Sequence, residues 1–522
     1  MKTAGPWHPF LFAAFPVLFL YAHNAGELSP GVMVLPLIGT LLLAALALGA
    51  GALALRDGAR GALLASVSLL LFLSHGHVHN LLGATVIPLG PVQLGPNRLA
   101  ILLLGGLFLV ALVALIRRRT PVTGVSRGAN LLGGVLVIGA LVQIGIAEIS
   151  TPSETGAGLA PEDEQWIAQR ADASDPLPHI FYIILDAYGE ASMLMDRYGL
   201  DNRALVAALE DRGFRVIANG RSNYPQTTLS LASSLGLEYL DDLAARMGRE
   251  SEDRQPLRQR IKQSRVAHVL RRLGYTYVAF ATGYYPTEAR NADLFLSPGP
   301  TLNDFQSELL NTTPLPALLR AMGGGTQTDM HRRRILYALD HLPDVLDLET
   351  PAFVLAHIIC PHPPFVFGAS GESRQPQGRF TMADGSDLIT SGGITAEDYR
   401  SAYRDQLRFL NTRLLPALDR LLTEADRPVI IVIQGDHGPG AGLDFEDGDA
   451  TDIYERFSVL NAYHFPDQDY GQLGDEITPV NTFRVIFNQY FGGRFERLPN
   501  RSYFATETHP YALEDVTDRV FP

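Results

Sequence analysis

Five long apolar stretches near the start of the chain constrain its fold more than any other feature. Each is long enough to cross the hydrocarbon core of a bilayer, where the backbone must satisfy its own hydrogen bonds and is therefore helical. The stretches lie near 7–23, 31–55, 61–82, 99–116 and 129–149. We therefore predict an α-helical membrane domain of about five spans over residues 1–149.

Basic residues in the connecting loops predict the orientation of these spans. Arg56 and Arg60 lie between the second and third stretches, and the loop between the fourth and fifth contains Arg117, Arg118, Arg119 and Arg127. The alternate loops carry few cations. Because cytoplasmic loops are enriched in Lys and Arg, we expect a cytoplasmic N-terminus. An odd number of spans then places everything after Ile149 outside.

The rest of the chain has a different composition. The net charge is −13 with 47% hydrophobic residues, and nearly all of that charge falls after the apolar stretches. An acidic domain argues against nucleic-acid binding, which needs a basic face. Residues 150–177 begin with a Ser-, Pro-, Gly- and acid-rich run and are predicted to be a linker or interfacial segment. Residues 178–522 are predicted to be an extracytoplasmic domain whose only cysteine, Cys360, excludes an intrachain disulfide.

Alternating strand and helix patterns over this second part are typical of an α/β sandwich. The strands are predicted at 180–186, 214–218, 275–281, 352–359, 429–435 and 457–465. The intervening helices are predicted at 204–213, 266–274, 332–342, 395–423 and 481–492. Residues 384–395, DGSDLITSGGIT, are expected to form a flexible surface loop.

Two of these strands end in residues that bind metals. The run IFYIILD ends at Asp186, and IVIQGDH ends at Asp436 and His437. Functional groups of open α/β sheets lie at the carboxyl ends of the strands, so these side chains are expected to share one crevice. Carboxylates together with an imidazole suit Zn²⁺ or Mn²⁺ better than Ca²⁺. In the structural alternative, Asp186 is a buried acid that caps a helix and binds no metal.

Two further segments are expected to reach the same crevice. Thr227, in SNYPQTTLSLASSL, lies where a helix would begin, and there the helix dipole and free N–H groups favour an alkoxide and an anionic substrate. Thr228 is the alternative nucleophile. In the structural alternative, the threonine only caps the helix and has no catalytic role. His362, in IICPHPPF, follows a strand and lies between prolines, where it either contacts substrate or only packs against the prolines.

A histidine cluster, HGHVH, follows the third apolar stretch. His75, His77 and His79 could bind a metal or lipid headgroups, or simply face the interface. Their period-two spacing on a helix end does not bring all three together, which favours the second interpretation.

The order of these segments resembles the sulfatase branch of the alkaline phosphatase superfamily, in particular the membrane-anchored lipoteichoic acid synthases and phosphoethanolamine transferases. The resemblance covers the whole architecture, but in residues it is confined to the four short segments. It implies a sulfatase-like catalytic domain after about five spans. It also implies metal ligation by Asp186, Thr227, Asp436 and His437, with Thr227 as nucleophile and His362 at the substrate.

The resemblance also implies a function. We expect a membrane-bound, metal-dependent transferase that moves a phosphoglycerol- or phosphoethanolamine-type group from a phospholipid donor to an envelope glycan or lipid, through a phosphothreonine. One divalent metal is expected, and a second stays open. The chain would lie in the bacterial cytoplasmic (inner) membrane, with its catalytic domain in the periplasm.

Two other functions stay open. One is a sulfatase-like hydrolase of phosphoric or sulfuric esters. Sulfate esters are disfavoured because neither Thr227 nor Cys360 lies in the C/S-x-P-x-R sequence of formylglycine sulfatases. The other is an inactive scaffold for envelope assembly, which the intact set of four candidate ligands disfavours.

Overall fold

The computed structural model describes residues 5–25, 28, 30–83, 85, 87–89, 92–118, 120–150, 166–167, 177–299, 302–322, 326–375, 380–391 and 393–521. The chain divides into two compact units. The helical unit comprises Met1–Pro152 and Leu302–Gln327, and the α/β unit comprises Ser153–Thr301 and Thr328–Pro522. Most of the predicted linker at 150–177 lies outside the described residues. The predicted fold class, a helical apolar domain joined to an α/β domain, is confirmed.

The helical unit follows the predicted apolar stretches. Its elements are α1 (His8–Ala22), α2 (Val34–Leu55), α3 (Gly58–Leu73), α4 (His75–Leu82), a hairpin of β1 (Ile87–Leu89) and β2 (Val92–Leu94), α5 (Pro96–Arg117) and α6 (Thr123–Ser150). The buried His8 ring bonds Ser66 of α3 at 2.6 Å and Ser126 of α6 at 3.0 Å. Polar side chains thus join three otherwise apolar helices, as is usual inside a bilayer.

Not every apolar helix is long enough to cross a membrane alone. Among the described residues, three helices meet length and hydropathy criteria for a span, and a fourth does so if α3 and α4, bent by 43°, are one broken span. Helix α1 has 15 residues, short of the roughly 20 that a bilayer requires. The predicted count of five spans therefore stays a prediction.

One segment from far along the sequence also belongs to the helical unit. It contains α13 (Asp304–Asn311) and α14 (Leu315–Ala321), and it lies within the range that the sequence assigned to the catalytic domain. Its short helices follow no strand pattern, so nothing in the sequence separated them from their neighbours.

The α/β unit is built on a seven-stranded sheet. The strands are β3 (His179–Leu185), β4 (Arg215–Val216), β5 (Thr276–Phe280), β6 (Leu294–Leu296), β7 (Ala352–Ile358), β8 (Val429–Gln434) and β9 (Asn461–His464), and β10 (Tyr503–Phe504) pairs separately with β11 (Glu514–Asp515). Their order is β4-β9-β8-β3-β7-β5-β6, and the five strands from β8 to β6 run parallel. Strands β3 and β8, whose ends carry the candidate ligands, are therefore neighbours.

Helices cover both faces of this sheet. They are α7 (Ala191–Tyr198), α8 (Arg203–Glu210), α9 (Thr227–Gly236), α10 (Asp241–Met247), α11 (Gln255–Lys262), α12 (Arg265–Arg272), α15 (Gln327–His341), α16 (Ala396–Glu424), α17 (Ile453–Phe457), α18 (Thr482–Phe491) and α19 (Thr517–Val520). Alternate residues of β3 enter separate cores: Phe181 and Ile183 pack on one side, Tyr182 and Ile184 on the other. Burial on both faces explains why the central strands are continuous apolar runs.

Two local predictions were wrong. The predicted strand 457–465 begins only at Asn461, because Phe457 still belongs to the short helix α17. Asp452 caps the start of that helix by accepting from the Glu455 amide. The expected loop at 384–395 is not a free surface loop. Asp384 is 3% exposed, and residues Asp387–Ser391 form a helical turn.

Candidate active site

Strand and helix ends bring the predicted metal ligands together. Nε2 of His437 lies 3.5 Å from Oδ1 of Asp186, 3.5 Å from Oδ2 of Asp436 and 3.2 Å from Oγ1 of Thr227. Each of these four side chains is at least nine-tenths buried. Three oxygen atoms of the kinds that bind divalent metals therefore lie within 3.5 Å of the His437 Nε2 atom.

The hydrogen bonds around this point show which atoms are available to a cation. Nδ1 of His437 donates to the Gly438 carbonyl at 2.9 Å, which leaves the lone pair of Nε2 facing the carboxylates. Oδ1 of Asp186 and Oδ2 of Asp436 are buried and have no hydrogen-bond partner in the part of the chain that the structure describes. Buried carboxylate oxygens without partners are costly unless a cation binds them. The residues therefore fit a divalent metal.

Thr227 is the first residue of α9, as the sequence predicted. Gln226 before it is extended, with φ −134° and ψ 140°, so the helix begins at the threonine. The neighbouring Thr228 is already engaged, because its Oγ1 accepts a hydrogen bond from Arg254 at 3.1 Å. The contacts thus separate the two threonines: Thr227 faces His437, and Thr228 faces Arg254.

His362 lies at the rim of the same cluster. Its ring centroid is 5.9 Å from that of His437, and its Nε2 lies 3.8 Å from Oδ2 of Asp384. The turn is held by Gln406 of α16, whose amide donates to the Pro361 and His362 carbonyls at 3.2 and 3.1 Å. His362, Asp186 and His437 also form one group whose ligand atoms lie within 4.8 Å of one another.

Sequence reasoning missed three residues of the site. His357, inside β7, contacts Oδ2 of Asp186 at 3.1 Å through Nε2 and Thr287 at 2.9 Å through Nδ1. Its position within an apolar strand hid it, although it is the one polar residue of that strand. Together with Asp186 and Asp436, His357 forms a second three-ligand group. Whether the site binds one cation or two therefore stays an open question.

The other two are Asp384 and Arg456, a buried ion pair at 2.7 Å. Arg456 also donates to the Gly438 carbonyl at 2.9 Å and to the Pro225 carbonyl at 2.7 Å. It therefore ties the loop before Thr227 to the loop after His437. No pattern marked it, because its partners lie far apart in sequence.

Burial and charge set the protonation of the site in opposite directions. Burial alone would raise the pKa of Asp186, but His362, His357 and His437 outweigh it and hold that pKa well below its usual range. Burial would lower the pKa of His362, whereas Asp186 and Asp384 raise it overall. Burial and Arg456 lower the pKa of His437. The site thus favours an ionised Asp186 and a neutral His437, and it favours a proton on His362 more than water does.

A polar cavity of about 120 Å³ opens beside these residues. Thr227, His362 and His437 form part of its wall, together with two buried arginines, Arg254 and Arg456, and the acids Asp384, Asp387 and Glu507. The arginines supply hydrogen-bond donors of the kind that pair with phosphate oxygens, although Arg456 is also paired with Asp384. The metal-site interpretation of HGHVH, which the spacing disfavoured, gains no support: the His75 and His79 rings are 6.5 Å apart, and within the described ranges no three-ligand group includes them.

This chain is similar to several solved structures at low sequence identity. No family model matches the chain, and no curated protein does. The C-terminal periplasmic domain of EcEptC from Escherichia coli is 12% identical, with a TM-score of 0.41 over 66% of this chain and 94% of that one.

Two further matches differ in extent. The integral membrane lipooligosaccharide phosphoethanolamine transferase A from Neisseria meningitidis is 12% identical, with a TM-score of 0.38, over 94% of this chain and 96% of that one. The phosphonate monoester hydrolase of Agrobacterium radiobacter is 13% identical, with a TM-score of 0.40, over 63% of this chain and 80% of that one.

Proposed function

We propose that this chain is a membrane-bound, metal-dependent phospho-group transferase that works through a phosphothreonine at Thr227. The observation that carries the proposal is the position of the Thr227 hydroxyl. It lies at a helix N-terminus, 3.2 Å from His437 Nε2, beside two buried carboxylate oxygens without partners. A hydroxyl placed in this way is poised for nucleophilic attack rather than for capping alone.

One divalent cation, zinc or manganese, would be held by Asp186, Asp436, His437 and the Thr227 hydroxyl. Bound there, it supplies Lewis acidity that lowers the pKa of the hydroxyl and draws charge from a phosphoryl oxygen. Arg254 and Arg456 help to hold the phosphoryl group in the polar cavity. The stoichiometry of bound metal, one or two per chain, tests whether the group around His357 takes a second cation.

The residues then account for a two-step transfer. Thr227 first loses its hydroxyl proton to water. Its Oγ then forms a bond to phosphorus as the bond from phosphorus to the donor oxygen breaks, and His362 in its protonated form gives its proton to that departing oxygen. In the second step an acceptor hydroxyl attacks the phosphothreonine and passes its proton to His362, while the bond from phosphorus to Thr227 Oγ breaks and leaves Thr227 as the alkoxide for the next cycle. The proposed donor is a membrane phospholipid and the proposed acceptor an envelope glycan or lipid, because the same chain carries apolar helices of membrane-spanning length.

The decisive experiment compares two adjacent threonines. Mass spectrometry of the protein incubated with phospholipid vesicles is expected to find a phospho-group on Thr227. Thr227→Ala should lose transfer by several powers of ten, since a covalent nucleophile is removed, while its metal content stays within a few-fold of wild type. Thr228→Ala is the matched control and should keep most activity.

Two outcomes would contradict this mechanism. If Thr228→Ala is inactive and Thr227→Ala active, the nucleophile is the wrong threonine. If both retain activity, no phosphothreonine forms and attack by water explains turnover better. Release of the headgroup without transfer to any acceptor would make the protein a phosphodiesterase of the same chemistry.

A further inference from the structure

The helical unit contains an apolar groove whose walls come from distant parts of the sequence. Helices α2 and α3 form one side and residues 302–315, including α13, form the other. The two sides are joined at Gly76 of α4, whose amide donates to the Thr312 carbonyl at 2.8 Å. A Cβ atom at Gly76 would lie 2.2 Å from the Asn311 carbonyl oxygen, so this approach requires glycine. The groove is thus built by specific packing.

The groove is suited to a long apolar ligand. Its cavity measures about 310 Å³, and its wall includes Leu35, Leu43, Phe72, Leu309 and Leu310. The polar residues in the wall are Thr40, Gln306 and Thr313.

Each of those polar side chains is bonded within its own segment. Thr40 donates to the Leu37 carbonyl and Thr313 to the Leu310 carbonyl, at 3.2 and 2.7 Å. Gln306 accepts from the Asn303 amide at 3.2 Å. The two threonine hydroxyls and the Gln306 carbonyl oxygen therefore keep their partners when an apolar occupant covers them.

An exposed apolar stripe continues from the groove along α14. Leu315, Leu318, Leu319 and Met322 are 37%, 44%, 39% and 82% exposed, at the spacing of one helix face. The groove wall on the other side belongs to α2, a helix of membrane-spanning length whose Leu35 and Ile38 are 68% and 50% exposed. Apolar surface of this extent is stable where hydrocarbon covers it.

We propose that the groove binds one acyl chain of a membrane lipid, with the α14 stripe resting in the lipid beside it. A saturated chain is narrow, has no polar atoms and is the most abundant apolar molecule around a membrane-spanning helix. This assignment does not depend on the reaction proposed above, because every residue of the groove lies in the helical unit.

A glycine in the groove allows a direct test. Gly39 of α2 lines the cavity, and a Cβ atom there meets nothing within 4 Å, so Gly39→Phe fills the groove without displacing the backbone. Gly49 lies on the same helix, is equally open around its Cβ position and is not in the groove wall. Gly49→Phe is therefore the matched control.

The full chain is reconstituted in vesicles of phosphatidylethanolamine and phosphatidylglycerol that contain a phosphatidylcholine with a diazirine in its acyl chain. After illumination, mass spectrometry maps the lipid adducts. We expect adducts on Leu35, Leu309 or Leu310 at several times the level found on Leu107 of α5, which is exposed and serves as a reference for bulk lipid. Gly39→Phe should reduce the groove adducts at least about fivefold, and Gly49→Phe should leave them unchanged.

Three results would overturn the proposal. Groove adducts no more frequent than those on Leu107 would mean that only bulk lipid contacts these residues. Groove adducts that persist in Gly39→Phe would place the lipid elsewhere. A photoreactive amino acid placed at Leu310 that crosslinks to a second copy of the chain, with lipid adducts absent from the groove, would identify the groove as a subunit interface.

Discussion

At the scale of single residues, His357 controls how Asp186 presents its carboxylate. The imidazole joins Thr287 to Oδ2 of Asp186 and leaves Oδ1 for a cation. We predict that His357→Ala weakens zinc binding about 10- to 100-fold, the usual effect of removing a partner that orients a metal ligand. Chelator competition measures the affinity, and His341→Ala, at an exposed histidine, is the control. Unchanged affinity in His357→Ala would rule this role out.

The buried carboxyl of Glu455 should make the free energy of unfolding depend on pH. Burial raises the pKa of this carboxyl to about 7, from 4.5. Oε1 accepts from Tyr198 and the Ala441 amide, whereas Oε2 is buried without a partner. The folded state binds the Glu455 proton more tightly than the unfolded state does, so protonation of Glu455 stabilises the fold. This stabilisation is complete below pH 4.5 and is lost as the pH rises through about 7. The loss amounts to ~3 kcal/mol, at about 1.4 kcal/mol per pKa unit.

Glu455→Gln keeps the shape of the side chain and removes the titration. We expect its melting temperature to exceed that of wild type at pH 7.5 and to approach it at pH 4.5, by thermal unfolding in detergent at both values. Glu476→Gln, at an exposed glutamate, should show no such convergence. Equal melting temperatures for Glu455→Gln and wild type at pH 7.5 would show that Glu455 is not destabilising when ionised.

At the scale of elements, the turn after β8 positions His437 through close backbone packing. A Cβ atom at Gly438 would lie 2.0 Å from the Glu455 carbonyl oxygen, so any side chain there must displace the turn. Gly438→Ala should therefore destabilise the protein by about 1–3 kcal/mol and weaken metal binding. Gly236→Ala at the end of α9, where the nearest atom is 3.7 Å away, should do neither. Wild-type metal affinity in Gly438→Ala would contradict the prediction.

The central elements could be predicted from sequence because their local and global preferences agree. Strands β3, β7 and β8 are unbroken apolar runs, and Thr227 begins α9 where the Pro225–Gln226 turn suggested. The placement of Asp186, Asp436 and His437 at adjacent strand ends followed from the same patterns. Their roles as ligands stay a prediction.

The rest of the site could not be predicted because its signals are not local. Asp384 occurs in a run of Asp, Gly and Ser that is typical of a surface loop, yet it is buried by its ion pair with Arg456, 72 residues away. Strand β6 has three residues, too few for any periodicity. The helices at 304–321 join the helical unit through contacts such as that between Gly76 and Thr312, which no pattern along the chain reveals.

At the scale of the whole molecule, the distribution of arginines predicts which side of the membrane the α/β unit occupies. Alkaline phosphatase fused after Pro522 should be active and a cytoplasm-only fluorescent reporter there should be dark, because five spans place this end outside. A fusion after Arg118 is the control and should give the reverse pattern. Since three or four helices meet the span criteria on their own, the reverse pattern after Pro522 would mean that the number of spans is even.

Cys360 has a consequence for how this molecule can mature and be studied. The thiol is fully buried, and burial raises its pKa well above the usual range, so it is a poor nucleophile and a poor partner for exchange. With one cysteine in the sequence, the α/β unit forms no intrachain disulfide and needs no disulfide oxidase or disulfide isomerase to assemble. A maleimide should leave the folded wild-type chain unlabelled, so a cysteine introduced at any exposed position becomes a site-specific reporter without prior removal of the native one.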